Sequence, residues 1–284
     1  MVEMWMAVGA GVGIGLFLAF QFLLFLFSFS PAVAWMLDKN IVAFLKDVVG
    51  PVSAGFGGAV AGAYAAFRFQ NNAEKRKELK AAARTLSMAK LNLMQKLNDL
   101  GSIKKHSVFQ HCKHPARFIL IGELPESPGV RESIDPNIID LLIGAGAGKL
   151  VSSVLLADKR YEACFENFKL RNKALLEYRA IVNASKIGQG YNTTLADISK
   201  VVEPGRLIAL HFNTEGVLEM FDETIETLSS ALNAIGDALD GSFKGTGLAV
   251  MTIGKEEGEF LEKLPSARFN VETLTAFIQR HRRS

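Results

Sequence analysis

The sequence predicts a mainly α-helical protein: a two-helix transmembrane hairpin, then a basic helical stalk, then a cytoplasmic helical domain with a few short strands. Three observations predict this fold class. The chain opens with two long stretches without charge, a strongly basic segment follows, and the remainder repeats apolar residues at helical spacing. We therefore divide the chain into a hairpin at residues 1–70 (spans at about 5–28 and 48–68), a stalk at 71–101 and a domain at 102–284.

The first uncharged stretch covers residues 4–30. As a helix it would reach roughly 40 Å, longer than the ~30 Å hydrocarbon core of a bilayer, and a buried core helix is not apolar on every side. A cleaved secretory leader is the alternative, because residues 32–34 read Ala-Val-Ala. However, the start carries Glu3 without Lys or Arg, and the apolar run is about twice as long as a leader needs. The sequence favours a retained span.

The second uncharged stretch, residues 48–67, is rich in Gly and Ala, and a loosely packed core helix is its alternative reading. The flanking charges favour a span. Twelve Lys or Arg and three Asp or Glu lie between Arg68 and Arg117, whereas the connection between the two stretches sums to zero. Because positive flanks stay in the cytoplasm, we expect a multi-pass membrane protein with both termini cytoplasmic.

Small residues mark the predicted helix-packing faces of the spans. They are Gly9, Gly11, Gly13 and Gly15 in the first span and Gly55, Gly58 and Gly62 in the second, with the polar Gln21 near mid-depth of the first. Glycine four residues from glycine lets another backbone approach closely in lipid. The two spans could pack on each other within one chain, or the glycine faces could drive self-association into a homo-oligomer.

The stalk combines basic residues with an apolar helical stripe that runs from Leu79 to Leu100, and Gly101 is placed as its terminator. The basic residues are Arg68, Lys75, Arg76, Lys77, Lys80 and Arg84. They could contact anionic lipid headgroups at about 1 kcal/mol each, or nucleic-acid phosphates. An ordinary positive flank is the simpler reading.

In the cytoplasmic domain we expect short strands at 116–124 and within 241–254, and a helix capped by Asp135. Further helices are predicted at about 155–183, after a cap at Asn213 or Thr214, and from about Val271. The strongest pattern is a seam with alternating three- and four-residue spacing: Leu218, Phe221, Ile225, Leu228, Leu232, Ile235 and Leu239. Such a seam packs against another helix, in the same chain or in a second copy.

Motifs for chemistry are weak. The stretch 141–153 holds Gly148-Lys149, but Ile143 and Leu150 stand where a phosphate-binding loop needs Gly and Ser or Thr, so we read it as a break between helices. The weak metal candidates are His106, His111, Cys112 and His114, whose spacing matches no usual zinc pattern. We therefore expect no enzyme activity, no catalytic residues, no metal or other cofactor and no small-molecule substrate.

Two adjacent spans, a basic stalk and a helical cytoplasmic domain resemble the two-transmembrane effector proteins of bacterial retron antiphage defence systems. The similar stretches are 57–86, 134–142 and 160–178. The resemblance rests on the order of the segments and on the residue pattern of the helices, and not on a diagnostic motif. It implies a toxin that is held inactive by a reverse transcriptase carrying its RNA–DNA product, and that damages the inner membrane when released. A non-toxic membrane-anchored scaffold or receptor that recruits a partner is the alternative.

Overall fold

The structure, a computed structural model, describes residues 50–127, 134–144, 147–185, 187, 193–243 and 261–282, together with Gly15, Phe22, Ala43, Asp47 and Val48. Its α-helices in these ranges are α1 (Gly50–Ile103), α2 (Arg117–Leu120), α3 (Asn137–Gly144), α4 (Gly148–Ala184), α5 (Leu195–Val201), α6 (Pro204–Phe243) and α7 (Val271–Arg282). A π-helical turn, Lys104–Val108, and a 3₁₀ turn, Phe109–His111, follow α1. The chain divides into two compact units, which we call unit 1 (Met1–Glu78) and unit 2 (Leu79–Ser284).

The prediction of a mainly α-helical chain is confirmed, but the strand predicted at 116–124 is wrong. Residues 117–120 of that segment form the short helix α2, residues 121–124 are irregular, and no described residue lies in a strand. The reason is a distant side chain. Arg171 of α4 donates hydrogen bonds to the carbonyl oxygens of Phe118 and Ile121. The carbonyl groups at the end of this four-residue helix therefore have hydrogen-bond partners without pairing in a sheet. The second predicted strand falls mostly on residues outside the described ranges.

Capping side chains explain where three helices begin. The Asp135 carboxylate accepts a hydrogen bond from the backbone N–H of Asn137 at 2.9 Å, as expected for the start of α3. Helix α7 begins at Val271, as predicted, after Asn270, whose side-chain oxygen accepts a hydrogen bond from the backbone N–H of Thr273 at 2.8 Å.

A reciprocal capping box, formed by Thr194 and Asp197, starts α5 and is not among the features predicted from the sequence. These hydrogen bonds from Thr194 lower the pKa of Asp197.

Two predicted helix boundaries are wrong. Helix α1 continues through Gly101 to Ile103, so Gly101 is not a terminator. Helix α6 begins at Pro204 rather than after a cap at Asn213 or Thr214. Thr214 is buried inside α6, and its hydroxyl accepts a hydrogen bond from Arg171 at 3.3 Å instead of capping backbone N–H groups. Proline suits a first helical turn because its missing N–H would have no partner there.

Unit 2 is organised around the antiparallel pair α4 and α6. The Arg160 guanidinium donates to the Thr227 hydroxyl at 2.8 Å near one end of the pair, and Arg171 reaches Thr214 near the other. Between them the rings of Phe168 and Phe221 stack with centroids 5.4 Å apart. Six of the seven seam residues are buried in this core, and Leu232 packs against it. The seam therefore packs within one chain.

A second apolar cluster lies at the end of unit 2 where α2, α5 and α7 meet α4 and α6. It is centred on Phe118, Leu175, Leu207, Leu274 and Ile278. None of these side chains is accessible to solvent. The short helices are thus held by burial against the long ones, since helices of this length are unstable alone.

In the part of the chain that the structure describes, no helix combines the length and the apolar character needed to cross a membrane. The first predicted span lies outside the described residues except for Gly15 and Phe22, which are both helical.

Candidate functional site

The first twenty residues of α1 carry large apolar side chains that unit 1 leaves exposed. Val52 is 66% exposed, Phe56 71%, Tyr64 54% and Phe69 77%. Single exposed apolar residues are ordinary on protein surfaces, but a run of this length along one helix indicates an interaction surface. We call residues 50–69 the apolar segment.

The apolar segment has two dissimilar faces. Val52, Phe56, Val60 and Tyr64 are spaced by four residues and follow one slowly turning stripe of the helix. The predicted packing residues Gly55, Gly58 and Gly62 lie on the opposite side, at three- and four-residue spacing. Apart from the chain neighbours and the backbone of the helix itself, no described atom lies within 4 Å of a Cβ built on any of these three glycines. We call Val52, Phe56, Val60 and Tyr64 the bulky stripe. It is not among the features predicted above, although its four-residue spacing can be seen in the sequence.

An aromatic–cation pair marks the end of the apolar segment. The Arg68 Nε donates a hydrogen bond to the Tyr64 hydroxyl at 3.1 Å, and the guanidinium lies 5.7 Å from the centre of the Tyr64 ring. Beyond it the helix turns polar, with the side-chain amide of Gln70 donating to Glu74 at 3.1 Å. Aromatic rings and long cationic side chains are the groups that favour the boundary between an apolar phase and water.

Basic residues follow this boundary within α1. All six predicted contact residues, Arg68, Lys75, Arg76, Lys77, Lys80 and Arg84, are exposed. Lys75, Arg76 and Lys77 belong to unit 1 and form no ion pair with any residue that the structure describes. They are therefore available to an anionic surface, and we call these three residues the basic flank.

The remaining predicted packing residues give less information. Gly9, Gly11, Gly13 and Gln21 lie outside the described residues. Gly15 is helical and exposed, and a Cβ built there meets no described atom within 4 Å.

The weak metal candidates are not brought together. Cys112 is buried in the main core, whereas His106 and His114 are exposed. His114 Nδ1 instead accepts a hydrogen bond from the backbone N–H of Ala116 at 3.0 Å. Among the described residues, no three His, Cys, Asp or Glu side chains are grouped as a metal ion would require. Likewise, the glycine-rich stretch after α3 breaks one helix from the next, with the backbone N–H of Ala147 donating to the carbonyl of Leu142 at 2.8 Å.

Among the described residues of unit 2, four cations are buried, and sequence patterns do not single them out. Lys96, Lys104 and Arg117 pair with Asp158, Asp222 and Glu215 respectively, and Arg171 binds backbone carbonyls. Burial lowers the pKa of Arg171 to about 10, and the nearby charge of Arg179 acts in the same direction. Arg117 also donates to the carbonyl of Pro265 at 2.6 Å, so these charges hold elements of the fold.

Both cysteines are buried free thiols. Burial raises the pKa of Cys164 to about 11, although its hydrogen bond with the Thr224 hydroxyl opposes that shift. A thiol with such a pKa is a poor nucleophile at neutral pH, because the thiolate is the reactive form.

The most distinctive feature of the described residues is thus the apolar segment, which ends at the Tyr64–Arg68 pair and continues into the basic flank. No protein-family model matches the chain, and no curated protein or solved structure is significantly similar to it.

Proposed function

We propose that this chain is a membrane-anchored effector of bacterial antiphage defence. In this proposal, the two uncharged stretches form a hairpin in the inner membrane, and unit 2 lies on the cytoplasmic side. On release or activation, self-association of the spans perturbs the membrane without any catalytic step. A reverse transcriptase with its RNA–DNA product is the proposed inhibitory partner, from the resemblance of the layout to retron effectors.

One observation carries the proposal: the apolar segment presents large apolar side chains to its surroundings and is followed at once by cations. Lipid suits such a surface better than a single protein partner, since both the bulky stripe and the glycine side are uncovered by described atoms. Anionic headgroups complement the basic flank, with roughly 1 kcal/mol of attraction for each cation near the surface.

The two sides of the apolar segment suggest different roles. The bulky stripe of Val52, Phe56 and Val60 suits acyl chains. The glycine side allows a second helix to approach closely, and such packing is a main source of helix association in lipid. Alternatively, the glycine side packs against the first predicted span of the same chain.

A non-toxic scaffold is the second candidate function, and one observation favours it. Unit 2 has its own extensive core and closes the seam inside one chain, so it can present a rigid surface to a partner. Anchoring alone would require the apolar segment but no rearrangement of it.

The membrane location predicts a fractionation result. Full-length protein expressed in bacteria is expected to stay in the membrane pellet after extraction with alkaline carbonate, because integral helices resist this treatment whereas electrostatically bound proteins are released. Mass spectrometry of the purified protein is expected to find residues 1–34 retained. Release into the supernatant, or a mature chain beginning at Trp35, would contradict the hairpin.

Toxicity predicts a second result. Expression of the chain without its genomic neighbours is expected to arrest growth and depolarise the inner membrane, measured with a potential-sensitive dye. Gly58→Leu is expected to relieve depolarisation, because a bulky side chain then blocks close approach on the glycine side.

Gly216→Leu provides the matched control. Gly216 is an exposed glycine inside α6 of unit 2, and a Cβ built there meets nothing within 4 Å. This variant gains the same helix propensity, so it is expected to remain as toxic as the wild type. Harmless expression of the wild type at matched protein level, with and without phage, would favour the scaffold instead.

A further inference from the structure

A cleft opens on the surface of unit 2. The cleft is lined by residues 114–116 with Ile119 and Leu120, by residues 193–195 with Ile198 at the start of α5, and by Arg268, Phe269, Thr273 and Phe277. Its volume is about 720 Å³. Pockets of roughly 300–1,000 Å³ are typical of sites for small molecules.

Among the residues that the structure describes, the ionisable side chains that line the cleft are His114 and Arg268, and none of these lining residues is acidic. Arg268 is exposed and forms no ion pair with any residue in the described ranges. Asp197, three residues beyond the lining residue Thr194, already accepts from the Thr194 hydroxyl at 2.6 Å and from its backbone N–H at 3.2 Å. The described lining of the cleft therefore offers a guanidinium and no carboxylate.

The second polar group is a hydrogen-bond donor. Because His114 Nδ1 accepts from the backbone N–H of Ala116 at 3.0 Å, that nitrogen carries a lone pair and the ring proton sits on Nε2. Even the neutral imidazole of His114, which lines the cleft, thus has an N–H available to donate. An N–H donor and a guanidinium suit one anionic group, such as a phosphate or a carboxylate.

The walls of the cleft are apolar and aromatic. Phe269 and Phe277 both line it, with ring centroids 5.6 Å apart and planes at 57°. The backbone of Phe269 is fixed by His211, whose Nε2 donates to the Phe269 carbonyl oxygen at 3.0 Å. Ile119 and Ile198 also line the cleft. These walls suit a flat ring better than a compact inorganic ion.

We propose that this cleft binds a small organic anion that carries a flat ring, the chemistry shared by phosphate monoesters of aromatic compounds or nucleosides and by aromatic carboxylates. The anionic group is held by Arg268 and by His114 Nε2–H, and the ring lies against Phe269 and Phe277. The molecule is a bound ligand of unit 2, which needs no reaction, and the proposal is independent of membrane insertion.

Calorimetric titration of the detergent-purified full chain tests this proposal, with phenyl phosphate, AMP, benzoate and inorganic phosphate as probes. At least one of the three ring compounds is expected to bind with a Kd below about 1 mM, and inorganic phosphate about tenfold or more weakly. A preference for the phosphate esters or for benzoate supports the proposal in either case and identifies the anionic group. The proposal is overturned if no ring compound binds, or if inorganic phosphate binds as tightly.

Variants then assign the site. Arg268→Gln is expected to raise the Kd of the bound ring compound about 10- to 100-fold, as loss of a charge-assisted hydrogen bond predicts. Arg280→Gln, an exposed change further along α7 and outside the cleft lining, is expected to leave the Kd unchanged. Phe277→Leu is expected to weaken the ring compounds several-fold and leave inorganic phosphate unaffected. Equal affinity of wild type and Arg268→Gln, at an unchanged melting temperature, overturns the assignment.

Discussion

Arg171→Met is expected to destabilise unit 2 by about 3–5 kcal/mol, because several buried acceptors lose their charged donor at once. The Arg171 side chain is inaccessible to solvent. It donates to the carbonyl oxygens of Phe118, Ile121 and Gly122 and to the Thr214 hydroxyl. Methionine fills similar space but leaves these acceptors without donors, and each buried acceptor without a donor costs about 1–3 kcal/mol. The measurement is the free energy of unfolding from denaturant titration, followed by loss of helical circular dichroism.

The matched control for this substitution is Arg179→Met, eight residues further along α4. Arg179 forms a solvent-accessible ion pair with Glu123 at 2.7 Å, with side chains 42% and 50% exposed. Exposed pairs contribute about 0–1 kcal/mol, so this variant is expected to change stability little. Arg171→Lys keeps the charge without the planar fork of donors and should fall between the two. If Arg171→Met and Arg179→Met prove equally stable, the carbonyl network does not hold α2 in place.

Local sequence signals predicted the parts of the fold that depend on neighbours in the chain. Asp135 is recognisable as a cap because its partner, the donating backbone N–H of Asn137, lies only two residues away. The seam from Leu218 to Leu239 was legible because helical burial repeats every three or four residues. In both cases the periodicity or the cap is encoded within a few turns.

The errors arose where a distant residue decides the local structure. The segment 116–124 has the apolar, β-branched character of a short strand. It instead contains a short helix, because the guanidinium of Arg171 in α4 donates to the carbonyl oxygens at the end of that helix. Thr214 has the chemistry of a cap, but its hydroxyl is used by the same guanidinium. Arg171 itself lies in an ordinary amphipathic pattern, and nothing within one helical turn reveals its partners, which are 43 to 53 positions away.

The same distinction applies to the candidate sites. The apolar segment and the basic flank could be predicted because each is contiguous in sequence. The cleft could not, since His114 and Arg268 are far apart in the chain and are brought to one surface only by the packing of α2, α5 and α7. Neither residue carries a motif that would have indicated the other.

Asp158→Leu is expected to destabilise unit 2 by a comparable 3–5 kcal/mol, because it leaves the ammonium of Lys96 buried without its carboxylate partner. Lys96 lies in the last turns of α1 and Asp158 in α4, with side chains only 3% and 8% exposed. The Lys96 ammonium also lies 5.4 Å from the centre of the Tyr161 ring, whose hydroxyl donates to Asp99 at 2.9 Å. The pair therefore joins two helices at one fixed position inside the core.

Removing both charges should cost far less than removing one. In Lys96→Met with Asp158→Leu, no ion is buried and apolar side chains replace the pair, so stability is expected to return to within about 1–2 kcal/mol of the wild type. A double-mutant cycle of the wild type, the two single variants and the double variant gives the interaction free energy between Lys96 and Asp158. We expect this coupling energy to exceed about 2 kcal/mol. The exposed neighbouring pair, Lys159 and Glu162, gives the reference cycle, in which the coupling should stay below about 0.5 kcal/mol.

The double variant also separates two roles of the buried pair. If the pair mainly fixes how α1 meets α4, the double variant should unfold at nearly the same denaturant concentration but less cooperatively, because apolar side chains tolerate several registers whereas a buried ion pair tolerates one. If the pair mainly supplies stability, the double variant should be about as unstable as Asp158→Leu, with a steep transition. That second outcome would contradict the recovery expected here, since it would mean that the attraction between Lys96 and Asp158 exceeds the cost of removing both from water.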